Sequence, residues 1–160
     1  MSTYRVTVTR RVAAPARIAY DLIADYRTGH TQIVPPKVFQ NLHVEEGGYG
    51  AGTKITFDVR AFGSTTNIRA DITEPTPGRV LVETEPDQKV VTTFSVEPIA
   101  DGSTCDVTID SVFKSRDGVL GKIEQSLAKP FLRRVYKDEL QRLETIAKQM
   151  SSRASGPAAA

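Results

Sequence analysis

The chain has 160 residues, with 21 lysines and arginines against 19 aspartates and glutamates, for a formal net charge of +2. That length predicts a single domain whose core is large enough to hold the fold without staples. The near balance of charge excludes a dedicated nucleic-acid binder, whose basic residues gather in a stripe; Lys129, Arg133, Arg134 and Lys137 come nearest to one and read as the solvated face of a helix.

Cys105 is the one cysteine, so the chain has no internal disulfide, which fits a reducing cytoplasm. One cysteine with His30 and His43 gives no familiar metal spacing, and neither a metal nor another cofactor is expected. No run approaches the ~18 apolar residues of a membrane span, so no stable membrane insertion is expected. The opening MSTYRVTVTRRV alternates and reads as a strand, not as a signal peptide.

Tyr4, Val6, Val8 and Val12 share one parity of that strand, with Arg10 breaking it near the end. Ala13-Ala14-Pro15 stops it, and Pro15 suits the first turn of a short helix carrying Ile18, Ala19, Leu22 and Ile23 and ending near Tyr26. Residues 27–37, with Gly29, Pro35 and Pro36, predict irregular chain or a second short helix. Strands follow over 38–45 and 53–60, joined by the glycine-rich segment 47–52, and then over 65–73, 79–85, 90–98 and 104–114. Pro75-Thr76-Pro77-Gly78, Pro86-Asp87 and Asp101-Gly102 mark the turns between the later ones.

Past Gly118 the apolar period changes from two to about 3.6. Val119, Leu120, Ile123, Leu127, Phe131, Val135, Leu140, Leu143, Ile146 and Met150 trace one stripe of a helix of roughly thirty residues, with Pro130 expected to kink or briefly break it. Residues 151–160, small and polar, are expected to form a disordered tail after a single domain at 1–150.

Six to seven strands in hairpin succession imply an antiparallel sheet, and one apolar parity per strand implies a cover on one face only. The terminal helix is the one element long enough to be that cover. The fold class is therefore α+β, a curved antiparallel sheet gripping a long C-terminal helix, and the gap between them is the place for an apolar cavity. Thr66, Thr84, Thr92 and Ser111 fall on the parity read as inward, and their hydroxyls would need partners there. Between residues 53 and 113 no acidic or basic side chain is read onto that parity, so the sheet is expected to supply no acid–base group.

Ala14-Pro15-Ala16 after the first strand, DLIADY at 21–26, EEGGYGAGTKITF at 45–57 and GVLGKIEQSLAKPFLRRVYKDELQRL at 118–143 together resemble the START-like, helix-grip superfamily (SRPBCC), which includes the polyketide cyclase/dehydrase and lipid transport proteins. The third motif is similar to the glycine-rich loop of birch-pollen-allergen-type proteins, and the last to the terminal helix of many bacterial members. The resemblance covers roughly residues 3–150. It implies the fold far more narrowly than the function, because the fold hosts carriers, receptors, cyclases and co-chaperones. It also implies that the loop at 47–52 borders the cavity as a rim or lid. No phosphate-binding motif is present there.

These readings give the expected sites. Phe57, Thr66, Thr84, Thr92, Phe94, Ile109, Ser111, Phe113, Phe131 and Val135 are the candidate ligand-binding residues. Tyr26 and His30 are the candidate proton-transfer groups, His30 because an imidazole titrates near neutrality. His43 alternates with Leu42 and Val44 and is expected outside. The first functional expectation is binding or transport of an apolar small molecule (a lipid, isoprenoid or polyketide) by a cytoplasmic monomer or homodimer. The alternatives are a polyketide cyclase or dehydratase using His30 or Tyr26, and a co-chaperone-like interaction module.

Overall fold

Residues 1–156 are described by the structure, a computed structural model. Strand β1 (Ser2–Val12) leads into α1 (Ala16–Ala24) and α2 (Gly29–Ile33). Six strands follow: β2 (Phe39–Glu46), β3 (Lys54–Ala61), β4 (Ser64–Thr76), β5 (Val80–Glu85), β6 (Val90–Ile99) and β7 (Thr104–Ser115). Helix α3 (Gly118–Ala154) completes the chain. The segment at 27–37 thus holds a second short helix.

The sheet runs β1-β7-β6-β5-β4-β3-β2 and is antiparallel throughout. Sequential strands pair through hairpins, and β1 closes against β7, with Tyr4 opposite Phe113 and Val12 opposite Cys105. The alternation has its physical consequence here: Ile55 and Phe57 of β3, Ile68, Ala70 and Ile72 of β4, Phe94 and Val96 of β6, and Cys105, Val107 and Ile109 of β7 are all buried on one face.

Helix α3 packs across β1 and β7 and against both short helices. Its anchoring surface is Val135, Tyr136, Leu140, Leu143 and Ala147, all buried. Arg10, which breaks the apolar parity of β1, reaches Glu144 on this helix at 2.9 Å and ties strand to cover.

Three features depart from the sequence expectation. The helix spans 37 residues, about 55 Å at 1.5 Å per residue, and runs unbroken through Pro130. Pro130 and Ser126, whose carbonyl loses its helical partner, are both exposed, so the unpaired carbonyl is not buried and costs the helix little. Helix also claims residues 151–154 of the expected tail; residues 157–160 lie outside the described residues. Finally, Val119, Leu120, Ile123 and Leu127 are exposed, because the first third of the helix extends beyond the sheet and its apolar stripe meets no partner among the described residues.

Candidate functional site

A cavity of about 260 Å³ lies between the sheet and α3. Its size sits just under the ~300–1,000 Å³ usual for small-molecule pockets. Most of its wall is apolar: Val34, Val38, Phe39 and Leu42 at one side, Ile55, Phe57, Val59 and Ile68 from β3 and β4, Val90, Phe94, Ile109 and Phe113 from β6 and β7, and Phe131, Leu132 and Val135 from α3. Phe62 at the tip of the β3–β4 hairpin packs against Phe131 with ring centroids 5.0 Å apart, closing the sheet onto the helix there.

The remaining wall is polar: His30, Glu83, Glu85, Thr92, Tyr136 and Glu139, with Thr66 and Gln88 exposed at the rim. His30 projects from α2 and is 4 % exposed. Its ring stacks on Tyr26 at 4.4 Å and meets Phe94 edge-on at 5.8 Å. Its Nδ1 lies 2.7 Å from the Ile23 carbonyl oxygen, which can only accept, so Nδ1 carries the hydrogen and Nε2 points to Glu83 Oε1 at 3.6 Å. The Tyr26 hydroxyl donates to that same oxygen at 2.5 Å. Tyr26 is fully buried, and burial followed by the Glu83 charge holds its phenol well above the usual range.

Glu139 is buried in the helix surface that faces the sheet, and its Oε1 has no hydrogen-bond partner. Burial, then the nearby Glu83, raises its carboxyl well above the ordinary value. Glu85 is half-buried, and burial with Glu83 next to it pushes it up to about 8. Tyr136 donates to Ser111 Oγ at 2.7 Å, and Ser111 lies 2.7 Å from Thr92 Oγ1, so two sheet hydroxyls and one helix phenol form a buried relay.

The sequence-derived candidates divide accordingly. Phe57, Thr66, Thr92, Phe94, Ile109, Phe113, Phe131 and Val135 stand on the cavity wall, as does His30. Tyr26 lies one layer behind it, touching His30 and Glu83. Ser111 is wholly buried behind Thr92, absent from the wall because its hydroxyl is taken by Tyr136 and Thr92. Thr84 faces the opposite side of the sheet. Glu83 stands directly opposite Thr92 and Glu85 opposite Val90 in the β5–β6 register, so the inward residues of β5 are Leu81, Glu83 and Glu85. The expectation of an interior without acidic groups fails for the same reason.

The glycine-rich segment contributes no residue to the cavity wall. It is fastened to the end of α1: Tyr26 N–H donates to the Gly48 carbonyl at 2.9 Å and Gly50 N–H to the Ala24 carbonyl at 3.0 Å. Gly50 sits at φ +60°, a left-handed conformation that favours glycine, and a Cβ there would displace the Glu74 carboxylate, 2.3 Å away.

Comparison with known proteins agrees with this architecture. The family model described as polyketide cyclase / dehydrase and lipid transport matches residues 3–148. Among solved structures, the KanY protein superposes with a TM-score of 0.79 at 23% identity, covering 92% of this chain and 99% of that one. A START superfamily protein from Mycobacterium smegmatis gives 0.70 at 18% identity, covering 91% and 98%. A norcoclaurine synthase from Thalictrum flavum, bound to a transition-state analogue, gives 0.69 at 14% identity, covering 93% and 96%. At these identities the likeness is one of fold. A search of curated proteins finds no match.

Proposed function

The chain belongs to the polyketide cyclase / dehydrase and lipid transport family, and we propose that it binds a compact, largely apolar molecule with one polar end in the cavity between sheet and helix. The observation that carries this reading is the wall itself: aromatic and aliphatic side chains over most of its area, with the histidine and carboxyl groups confined to α2, β5 and the facing turn of α3. Such a surface stays unfilled only at a cost in lost dispersion contacts, which a ligand of matching shape restores. Phe57, Phe94, Ile109, Phe113, Phe131 and Val135 would hold the apolar body, and Thr92 and the carboxyl groups would orient the polar end. Native mass spectrometry of the gently purified chain, with melting curves against a panel of fatty acids, isoprenoids and aromatic polyketides, tests it. A retained species of low mass, or a rise in melting temperature with one class, is expected. Repeated preparations that carry nothing and respond to nothing would refute it.

A second reading, acid–base catalysis on a poly-β-keto chain, draws on one specific observation. His30, Glu83 and the Tyr26 phenol are in contact beside the cavity, and Glu139 is a buried carboxyl whose raised proton affinity suits a general acid. Turnover of such a substrate that falls by about a hundredfold in Glu139→Gln or His30→Ala would support it. Turnover unchanged in both would remove it.

A further inference from the structure

We propose that the polar end of the ligand is an organic cation, an ammonium group carried on the apolar body and seated among Glu83, Glu85 and Glu139. The inference rests on the binding reading above and names the class of molecule the same cavity takes.

Hydrogen-bond donors and acceptors are out of balance at this end of the cavity: three carboxyl groups face it, and the wall contains no lysine or arginine. The hydrogens of the neighbouring groups are already committed. The Tyr26 phenol donates to Glu83, the Tyr136 phenol donates to Ser111, and His30 Nδ1–H faces the Ile23 carbonyl. His30 Nε2 is turned to Glu83 as well, 3.6 Å from its Oε1. What stays uncommitted is one hydroxyl hydrogen of the Thr92–Ser111 pair, the exposed Gln88 amide at the rim and the protons that Glu85 and Glu139 hold when neutral, which a bound cation would displace.

The patch is thus rich in acceptors and poor in donors, and Glu139 Oε1 is buried with no partner at all. A group with several N–H donors and a positive charge complements it more fully than a hydroxyl or carbonyl, which satisfies one partner at a time. The electrostatics agree. Glu85 and Glu139 each feel Glu83 as a repelling charge, and one cation between them relieves both repulsions together. A carbonyl would take one hydrogen from one protonated carboxyl and leave the others as they were. An inorganic ion fits less well, because among the described residues no group of three or more His, Cys, Asp or Glu side chains is arranged to hold a metal. The apolar walls call for an organic body.

Calorimetric titration of the full chain with phenethylamine, phenethyl alcohol and phenylacetone tests this. These probes share an aromatic body and differ in the polar end. The amine is expected to bind at least about tenfold more tightly than either neutral probe. Glu139→Gln should cut amine affinity about tenfold while alcohol affinity stays within about threefold, and Glu85→Gln provides the same test should the first variant fold poorly. The pH profile supplies a further sign. The groups facing Glu139 are Glu83 and Glu85 on β5, Tyr26 after α1, His30 on α2, and Tyr136 and Asp138 on its own helix. An ammonium, protonated up to about pH 10, takes a carboxylate, so amine affinity should rise from about pH 6 to about pH 8. A ketone accepting from a protonated carboxyl should weaken over the same range. The inference is overturned if a neutral probe binds as tightly as the amine, if amine affinity falls as pH rises to 8, or if Glu139→Gln weakens all three probes alike. Binding of the neutral probes alone would leave the cavity reading standing without the cation, whereas binding of none would remove both.

Discussion

Replacing Glu85 by glutamine should make the protein more stable at pH 8 and leave it nearly unchanged at pH 5. The half-buried carboxyl has its folded-state pKa pushed up to about 8 from 4.5 by burial and by Glu83. An acid shifted upward keeps its proton longer folded than unfolded. Its contribution to stability is therefore intact at low pH, is lost as pH rises from about 4.5 to about 8, and stays constant above that. At ~1.4 kcal/mol per pH unit, the loss between pH 5 and pH 8 is roughly 3–4 kcal/mol, an upper bound because a half-buried group relaxes toward water. Glutamine is neutral throughout and removes that slope while keeping the shape. Urea unfolding of the parent chain and of Glu85→Gln at pH 5, 6, 7 and 8 reads it directly. The parent chain should lose stability across the series and the variant should lose markedly less. Parallel curves would show that Glu85 reaches water freely, and the acidic wall would then be no part of a desolvated site.

Four further outcomes follow from the same geometry. Tyr26→Phe removes the hydroxyl that donates to Glu83, leaving that buried carboxyl short of a partner; a loss of about 1–3 kcal/mol is expected in denaturant unfolding, and no loss would mean that Glu83 is held by other means. Gly121→Ala puts a Cβ 1.8 Å from the Arg116 carbonyl oxygen, so its melting temperature should fall even though alanine is intrinsically the better helix former by about 1 kcal/mol; a rise would contradict the close approach of the β7–α3 turn. Ile68→Trp should fill the cavity and abolish any ligand-induced melting shift while the fold persists, as judged by circular dichroism; a retained shift would place the ligand elsewhere. Thr84→Val, on the far face of the sheet, should leave ligand response unchanged, and a lost response would contradict the β5 register.

The sheet and its covering helix were legible because most strands carry a clear alternation, such as Ile55-Phe57-Val59 against Lys54-Thr56-Asp58. Strand β5 reads onto the wrong face. Its sequence VLVETE places Val80, Val82 and Thr84 on one parity and Leu81, Glu83 and Glu85 on the other, and β-branched residues draw the eye to the wrong side. The correct side was accessible through the hairpin: counting back across the four-residue turn from Val90 sets Glu85 opposite it, and the inward Thr92 and Phe94 then select Glu83 and Leu81. Glu139 carried a comparable signal, four residues from both Val135 and Leu143 on the buried surface of α3. Local pattern reading treats glutamate as a surface residue, and only the three-dimensional packing of α3 over β5 shows the three carboxyls on the wall of one cavity. The exposed start of α3 was illegible for the opposite reason, since its apolar spacing is as regular as that of the buried part and only the end of the sheet decides where cover stops.

A methyl-resolved NMR titration with phenethyl alcohol tests most directly whether the space between sheet and helix receives a ligand. The account predicts saturable shifts at Ile55, Ile68, Ile109, Leu132 and Val135, which line the cavity, with Val119, Leu120, Ile123 and Leu127 on the exposed end of α3 unmoved. Shifts confined to those four exposed residues, or none at the cavity methyls at saturating probe, would contradict it.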